Sequence, residues 1–202
     1  MTSATQVPTR REEILALAAG LFATRGFAGS TVREIADAAG ILSGSLYHHF
    51  DSKESMADEI LRAFLDEILA DYHAAIAAAE GPVDALRRLV HVAYGALGPH
   101  RAAIAVMMND WNLLVQQPRF AYLRDRADET ERLWVGVIAD GVAAGAFRAD
   151  VDPRMIYRFL RDAIWVSVRW FQPDGSTSAH DLADRYCDML LGGLTRDQGG
   201  PT

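Results

Sequence analysis

Residues 30–56 read STVREIADAAGILSGSLYHHFDSKESM. Thr31 followed three positions later by Glu34 is a capping box, in which a hydroxyl and a carboxylate each satisfy a backbone N–H at a helix start. It opens a short helix carrying Val32, Ile35, Ala36 and Ala39, which Gly40 stops by taking the left-handed conformation. Ser43 is then expected to cap a third, very short helix, Gly44 to His49. A helix of about two turns, a turn with glycine and a second short helix have the dimensions of a helix-turn-helix. The side chains fit that geometry. Ser43, Gly44, Ser45, Tyr47, His48 and His49 put small or planar hydrogen-bonding groups on one short helix, with Leu46 and Phe50 as its apolar anchors. Thr31 and Arg33, at the start of the preceding helix, suit phosphate contacts, because a helix N-terminus adds exposed N–H donors.

Working outward, Thr9 with Glu12 makes another capping box, after which Ile14, Ala18, Leu21 and Phe22 share one helical face until Gly26. Asp51 or Ser52, ahead of Glu54, starts a long fourth helix on which Met56, Ile60 and Phe64 recur. Beyond it, Gly81-Pro82, Gly98-Pro99, Pro118, Asp152-Pro153 and Pro173-Asp174-Gly175 punctuate the chain, since proline is tolerated only in a first turn. They predict helices near 83–97, 100–115, 119–145, 153–171 and 178–194, with loose ends at 1–8 and 195–202. No stretch alternates with a period of two, so the fold class is all-α. A helix-turn-helix domain over 1–55 and a helical bundle over 56–202, for effector binding and dimerisation, make about nine helices.

The chain has 202 residues, with 20 basic against 27 acidic side chains, so its net charge of −7 excludes bulk coating of nucleic acid. Residues 1–55 hold five basic and six acidic side chains, which makes affinity depend on two half-sites engaged together. The apolar runs fall short of the ~20 residues of a membrane span and no signal stretch opens the sequence, so a cytoplasmic, non-membrane protein is expected. A single cysteine, Cys187, excludes an internal disulfide and reads as a small buried hydrophobe. His73, His91, His100 and His180 stand apart in sequence, and no HExxH, GxSxG or phosphate loop is present, so neither an enzyme nor a cofactor is expected. His48 and His49 are adjacent and point about 100° apart on a helix, a poor pair for one metal, and no metal site is expected.

In the second half, Arg154, Arg158, Arg161, Trp165 and Arg169 fall near one line of a helix, opposite Ile156, Leu160, Ala163 and Phe171. This cationic face with an indole suits a ligand bearing phosphates and a stackable ring, such as a coenzyme A thioester; the alternative is a solvated face paired with Asp150, Asp152 and Asp162. Met107, Met108, Trp111, Leu114 and Val115, with Tyr122 and Trp134, form a second cluster that reads as core or as a ligand cavity oriented by Asn109, Asn112 and Gln116. On the final helix Leu182, Tyr186, Met189 and Leu190, with small Ala183 and Gly193, suit a homodimer interface.

The stretch at 30–56 resembles the DNA-binding signature of the TetR family of one-component transcriptional regulators, and the helix pattern agrees with that family's nine-helix plan. The resemblance implies a recognition helix at Gly44–His49, with the family's tyrosine at Tyr47, its histidine at His49 and its basic residue at Lys53. Lys53 is the chain's single lysine. The resemblance also implies a four-helix dimer interface from the last two helices and repression of palindromic operator DNA relieved by a small molecule. "AGILSGSLYHHF" at 39–50, "QPRF" at 117–120 and "YRFLRDAIWVSVRW" at 157–170 resemble more closely, within that family, the actinobacterial branch that represses the later, ring C/D part of cholesterol catabolism. That branch implies a CoA thioester of a steroid-derived bicyclic propanoate as effector. The contrasting reading is a helical acyl-CoA-binding or interaction module without DNA binding, against which the polar recognition helix argues.

Overall fold

The computed structural model describes residues 9–195, so the loose ends expected at 1–8 and from residue 196 lie outside the described residues. Thr195 itself makes an isolated antiparallel bridge with Phe147. Among the described residues there are nine α-helices and no strand: α1 Arg10–Arg25, α2 Val32–Ala38, α3 Ser43–Leu46, α4 Lys53–Ala77, α5 Pro82–Gly95, α6 Arg101–Leu114, α7 Tyr122–Ala143, α8 Pro153–Val166 and α9 Ala179–Leu194. Within them, no helix is long and apolar enough to cross a membrane.

Local chemistry sets most of the boundaries. Both Thr9 with Glu12 and Thr31 with Glu34 form complete capping boxes, and Ser178 with Asp181 forms a third at α9. Gly26 and Gly40 take φ of 78° and 65°, a conformation that a side chain would strain. Pro82 and Pro153 occupy the first turns of α5 and α8, the latter behind the Asp152 cap.

The expected start of α4 holds with a different partner, and the boundaries of α3 and α8 differ from the sequence expectation. Ser52 caps α4, but its reciprocal partner is Ser55 and not Glu54, the two serines exchanging N–H···Oγ bonds of 3.1 and 3.2 Å. Helix α3 ends at Leu46, because the N–H groups of His48 and His49 turn to the carbonyls three residues back. Its N-cap is Leu42, which offers no side-chain cap, so Ser43 lies inside the helix. Helix α8 stops at Val166 and passes into a 3-10 turn, Ser167–Arg169, where the Ser167 hydroxyl donates to the Ala163 carbonyl. A like turn, Pro118–Phe120, precedes α7.

Packing divides the chain into two compact units. The first contains the described residues up to Phe64 together with Ala102–Ala121. Its core is built from Ile14, Phe22, Phe27, Ile35, Leu46, Met56, Leu61 and Phe120, all essentially inaccessible. Phe27 meets Phe22 and Phe120 edge-on at 5.5 and 6.3 Å, the arrangement that ring quadrupoles favour. The second unit contains Leu65–Arg101 and the described residues from Tyr122 onward, with α9 packed on α5, α5 on α7 and α7 on α8. Gly141 in α7 is required there. A Cβ at that position would lie 2.2 Å from the Phe147 ring, which closes the turn after α7 over the helix.

Candidate functional site

In the first unit, α3 is held by what it buries. Leu46 and Phe50 are inaccessible, while Leu42, Gly44, Tyr47 and His48 face solvent and Ser43, Ser45 and His49 are half-buried. Tyr47 is 55% exposed and Leu42 80%, although both are large. A Cβ on Gly44 would meet nothing within 4 Å, so its bare backbone serves no packing purpose inside the unit. Sequence reasoning did not single out Leu42; its signal was an apolar residue where a capping serine or aspartate is usual.

Two ties hold the loop that leads into α2. The Lys53 ammonium donates to the carbonyls of Phe27 and Ser30 at 2.8 and 2.9 Å and lies 4.4 Å from the centre of the Phe27 ring. In this structure it therefore acts on the protein's own loop. From α6, the Asp110 carboxylate accepts the Phe27 N–H at 2.8 Å and the Ala28 N–H at 3.5 Å. This acceptor could not be found by local reading, because it lies some eighty residues from its donors. Thr31 is likewise engaged: its hydroxyl donates to Glu34, whose carboxyl is held below the usual range by Thr31 and, further, by Arg25. Arg33 remains 86% exposed, with Asp37 only at 4.0 Å.

In the second unit, a pocket is lined by Tyr72, Ala93, Thr130, Trp134, Tyr157, Arg161, Ile164 and Trp165. Trp134, Arg161 and Trp165 of the sequence candidates line it; Tyr72 and Tyr157 join them. Trp134 stands edge-on to Tyr72 at 5.6 Å and tilted against Tyr157 at 6.4 Å. Burial pushes the Tyr157 phenol up to about 12, and Tyr72 higher still, so both rings are neutral hydrogen-bonding groups at neutral pH. The pocket holds only about 10 Å³ of solvent-sized space, one water's worth. Arg161 leans over the Tyr157 ring at 5.8 Å while its guanidinium pairs with Asp162 at 2.8 Å. Arg154, Arg158 and Arg169 are exposed, and Tyr122 is half-buried outside the lining. Met107 and Trp111 belong to α6, in the first unit.

The outer faces of α8 and α9 carry a feature the sequence reading missed on α8. Met155, Phe159 and Val166 recur near one line of α8 and are exposed, Phe159 by 63%. They were masked in sequence by the arginines between them. On α9, Met189 is 68% exposed and Leu182, Tyr186 and Leu190 are half-buried, while Ala183, Cys187, Leu191 and Leu194 form the inward side. Cys187 is buried, and its thiol is pushed up to about 11, which leaves it protonated.

Two family profiles match the chain. One, described as "Bacterial regulatory proteins, tetR family", covers residues 14–60, and the other, "Tetracyclin repressor-like, C-terminal domain", covers 79–194. The chain is 48% identical over 185 residues to the HTH-type transcriptional repressor KstR2 of Rhodococcus jostii, covering 92% of this chain and 91% of that one. It is 45% identical over 192 residues to KstR2 of Mycobacterium tuberculosis, covering 95% and 96%. The solved structure of the ketosteroid transcriptional regulator KstR2 of Mycobacterium tuberculosis superposes with a TM-score of 0.91 at 44% identity, over 97% of this chain and 100% of that one.

Proposed function

The chain belongs to the TetR family of transcriptional regulators, and from that premise we propose that it is a repressor that binds a palindromic operator as a homodimer. Its effector in this reading is an acyl-CoA thioester from steroid catabolism, whose binding releases the DNA. The observation that carries the DNA half is α3: buried anchors fix it, and its exposed side holds Tyr47, His48, an unencumbered Gly44 and Leu42. Tyr47, His48 and His49 read base edges or phosphates, Ser43 and Ser45 hydrogen-bond locally, and the open Gly44 backbone admits a close strand. Leu42 offers an apolar contact to a thymine methyl. Arg33 neutralises a phosphate, and Thr31 and Lys53 serve by holding α2 and its loop in place.

Similarity to a protein named as a ketosteroid transcriptional regulator supports a steroid-derived effector, and the pocket chemistry agrees with it. Trp134, Trp165, Tyr72 and Tyr157 form an apolar, aromatic lining for a fused-ring acyl group, with Arg161 at its edge to meet the thioester or a phosphate. Arg158 and Arg169 extend the same charge outward. One water's worth of space cannot hold a ring system, so effector binding selects a conformation in which the aromatic side chains have parted. That requirement couples occupancy to the packing of α4, α5, α7 and α8, which all contribute lining residues. The exposed apolar faces of α8 and α9, with Met155, Phe159, Leu182, Tyr186, Met189 and Leu190, form the homodimer contact.

A fluorescence anisotropy titration of the full chain against the DNA flanking its own gene tests this reading. Saturable binding of a palindrome by two chains, reversed by a steroid-derived acyl-CoA and not by free CoA, is the expected result. Binding of the thioester with no sequence-selective DNA affinity would instead identify an acyl-CoA-binding module. The Leu190→Asp variant should give monomers by light scattering, because an unpaired charge in an apolar contact is costly. A dimer persisting in that variant would remove α9 from the interface.

A further inference from the structure

The four histidines that stand apart in sequence each meet a carboxylate in the second unit, and two of them share one. His91 of α5 places Nε2 3.0 Å from one oxygen of Asp184, and His180 of α9 places Nδ1 3.2 Å from the other. The two imidazole rings lie 4.7 Å apart, centre to centre. The three donor atoms all fall within 4.8 Å of one another, and none of the residues is buried, so they open to solvent.

We propose that His91, His180 and Asp184 form a site for one divalent transition-metal ion of the zinc type, clamping α9 to α5. The donor set is right: two imidazole nitrogens and one carboxylate are borderline-soft and hard ligands that zinc, cobalt and nickel accept, with water completing the shell. The scale is right as well. Ligands about 2.1 Å from a tetrahedral ion lie about 3.4 Å from each other, against spacings here of 3.0 and 3.2 Å to the carboxylate and at most 4.8 Å overall. The ion would replace two N–H protons on the carboxylate, leaving each imidazole neutral with its proton on the outer nitrogen. His180 and Asp184 sit one turn apart on α9, so they project on one side. Asp184 and Met189 are about 140° apart around the same helix, so the site faces away from the proposed dimer contact and is complete within a single chain.

The competing account is a plain charge-paired seam, since one turn along the same two helices Arg87 approaches Asp188 at 3.7 Å. The two accounts differ in what zinc does. The test uses the full-length protein stripped with a chelator, titrated with Zn²⁺ by competition against a chromophoric chelator and with Co²⁺ by visible absorption. One ion per chain is expected, and a hundredfold excess over Kd should raise Tm by roughly 5–10 °C. His91→Gln and Asp184→Asn, which keep hydrogen-bonding groups, should each weaken the ion at least about tenfold, with the metal-free Tm measured alongside to show that the variants fold. Cys187→Ala and the double change His48→Ala, His49→Ala should bind zinc as the parent does. Absence of stoichiometric zinc, retention of full affinity in folded His91→Gln, or loss of the ion in the His48/His49 variant would each overturn the proposal.

Discussion

The proposed reading head around α3 and the pocket lined from α8 use the same residue types in opposite ways. In the head, the large groups proposed to touch a partner stand outside: Tyr47 is 55% exposed, and the loop behind it is tied by Lys53 and Asp110. In the pocket, the aromatic groups proposed to touch a partner are folded inward against one another, with space for one water. A surface that must match a fixed groove is best held ready, because ordering it on binding would cost affinity. A sensor needs the reverse. Its empty state must be a packed alternative, so that the ligand has a conformational equilibrium to shift. The contrast teaches that the proposed recognition residues are held exposed and the proposed regulatory ones packed closed.

The largest effect that could break this contrast is on DNA. Tyr47→Ala should weaken operator binding roughly 30-fold to 10⁴-fold, taking one base contact of about 1–3 kcal/mol in each of two subunits. Circular dichroism and light scattering should be unchanged, since the ring packs little. Wild-type operator protection by the variant would remove α3 as the reading element.

The second test addresses the pocket. Arg161→Ala should raise the acyl-CoA concentration needed for operator release by ~10-fold to 100-fold, the worth of a charged hydrogen bond, and leave operator affinity near normal. Because Arg161 already pairs with exposed Asp162, little stability should be lost. An unshifted release curve would return the arginine face to a solvated role.

A third, smaller effect bears on the rigidity of the head. Asp110→Ala leaves the Phe27 N–H without its acceptor and should cost about 1–3 kcal/mol of stability, read as a lower denaturation midpoint. Lys53→Ala separates its two possible roles: a loop tie predicts lost stability without DNA, whereas a phosphate contact predicts a shallower salt dependence of binding. Unchanged stability in the Lys53 variant would point to the phosphate.

Alkali should distinguish the regions most gently. Burial raises the Tyr94 and Tyr157 phenols to about 12 in the second unit, whereas Tyr47 of the head is exposed. A raised folded value favours the neutral phenol, so its contribution is complete below the ordinary tyrosine value near 10 and is lost as pH climbs from there toward 12. Tyrosinate absorbance from these buried phenols should therefore rise late, together with loss of near-ultraviolet dichroism from the tryptophans. An early rise would mean that the aromatic pocket is already open.

The all-α class, the capping boxes at Thr9 and Thr31, the glycine stops at Gly26 and Gly40 and the proline-led starts of α5 and α8 were all legible in the chain. Each is a contact between residues within about one helical turn, which order alone specifies. The buried anchors of α3, Leu46 and Phe50, were legible for the same reason, since a short helix with two apolar anchors has only one way to face. Tertiary structure decided what lies between distant residues. It turned Lys53 onto the carbonyls of Phe27 and Ser30, brought Asp110 to the Phe27 N–H, set Trp134 against Tyr72 and joined His91 to Asp184. It also showed that α8, read as one cationic face, holds Trp165 at a pocket and an apolar line of Met155, Phe159 and Val166 outside. Periodicity places side chains around a helix axis, but only the packing of neighbouring helices decides which of those directions is covered.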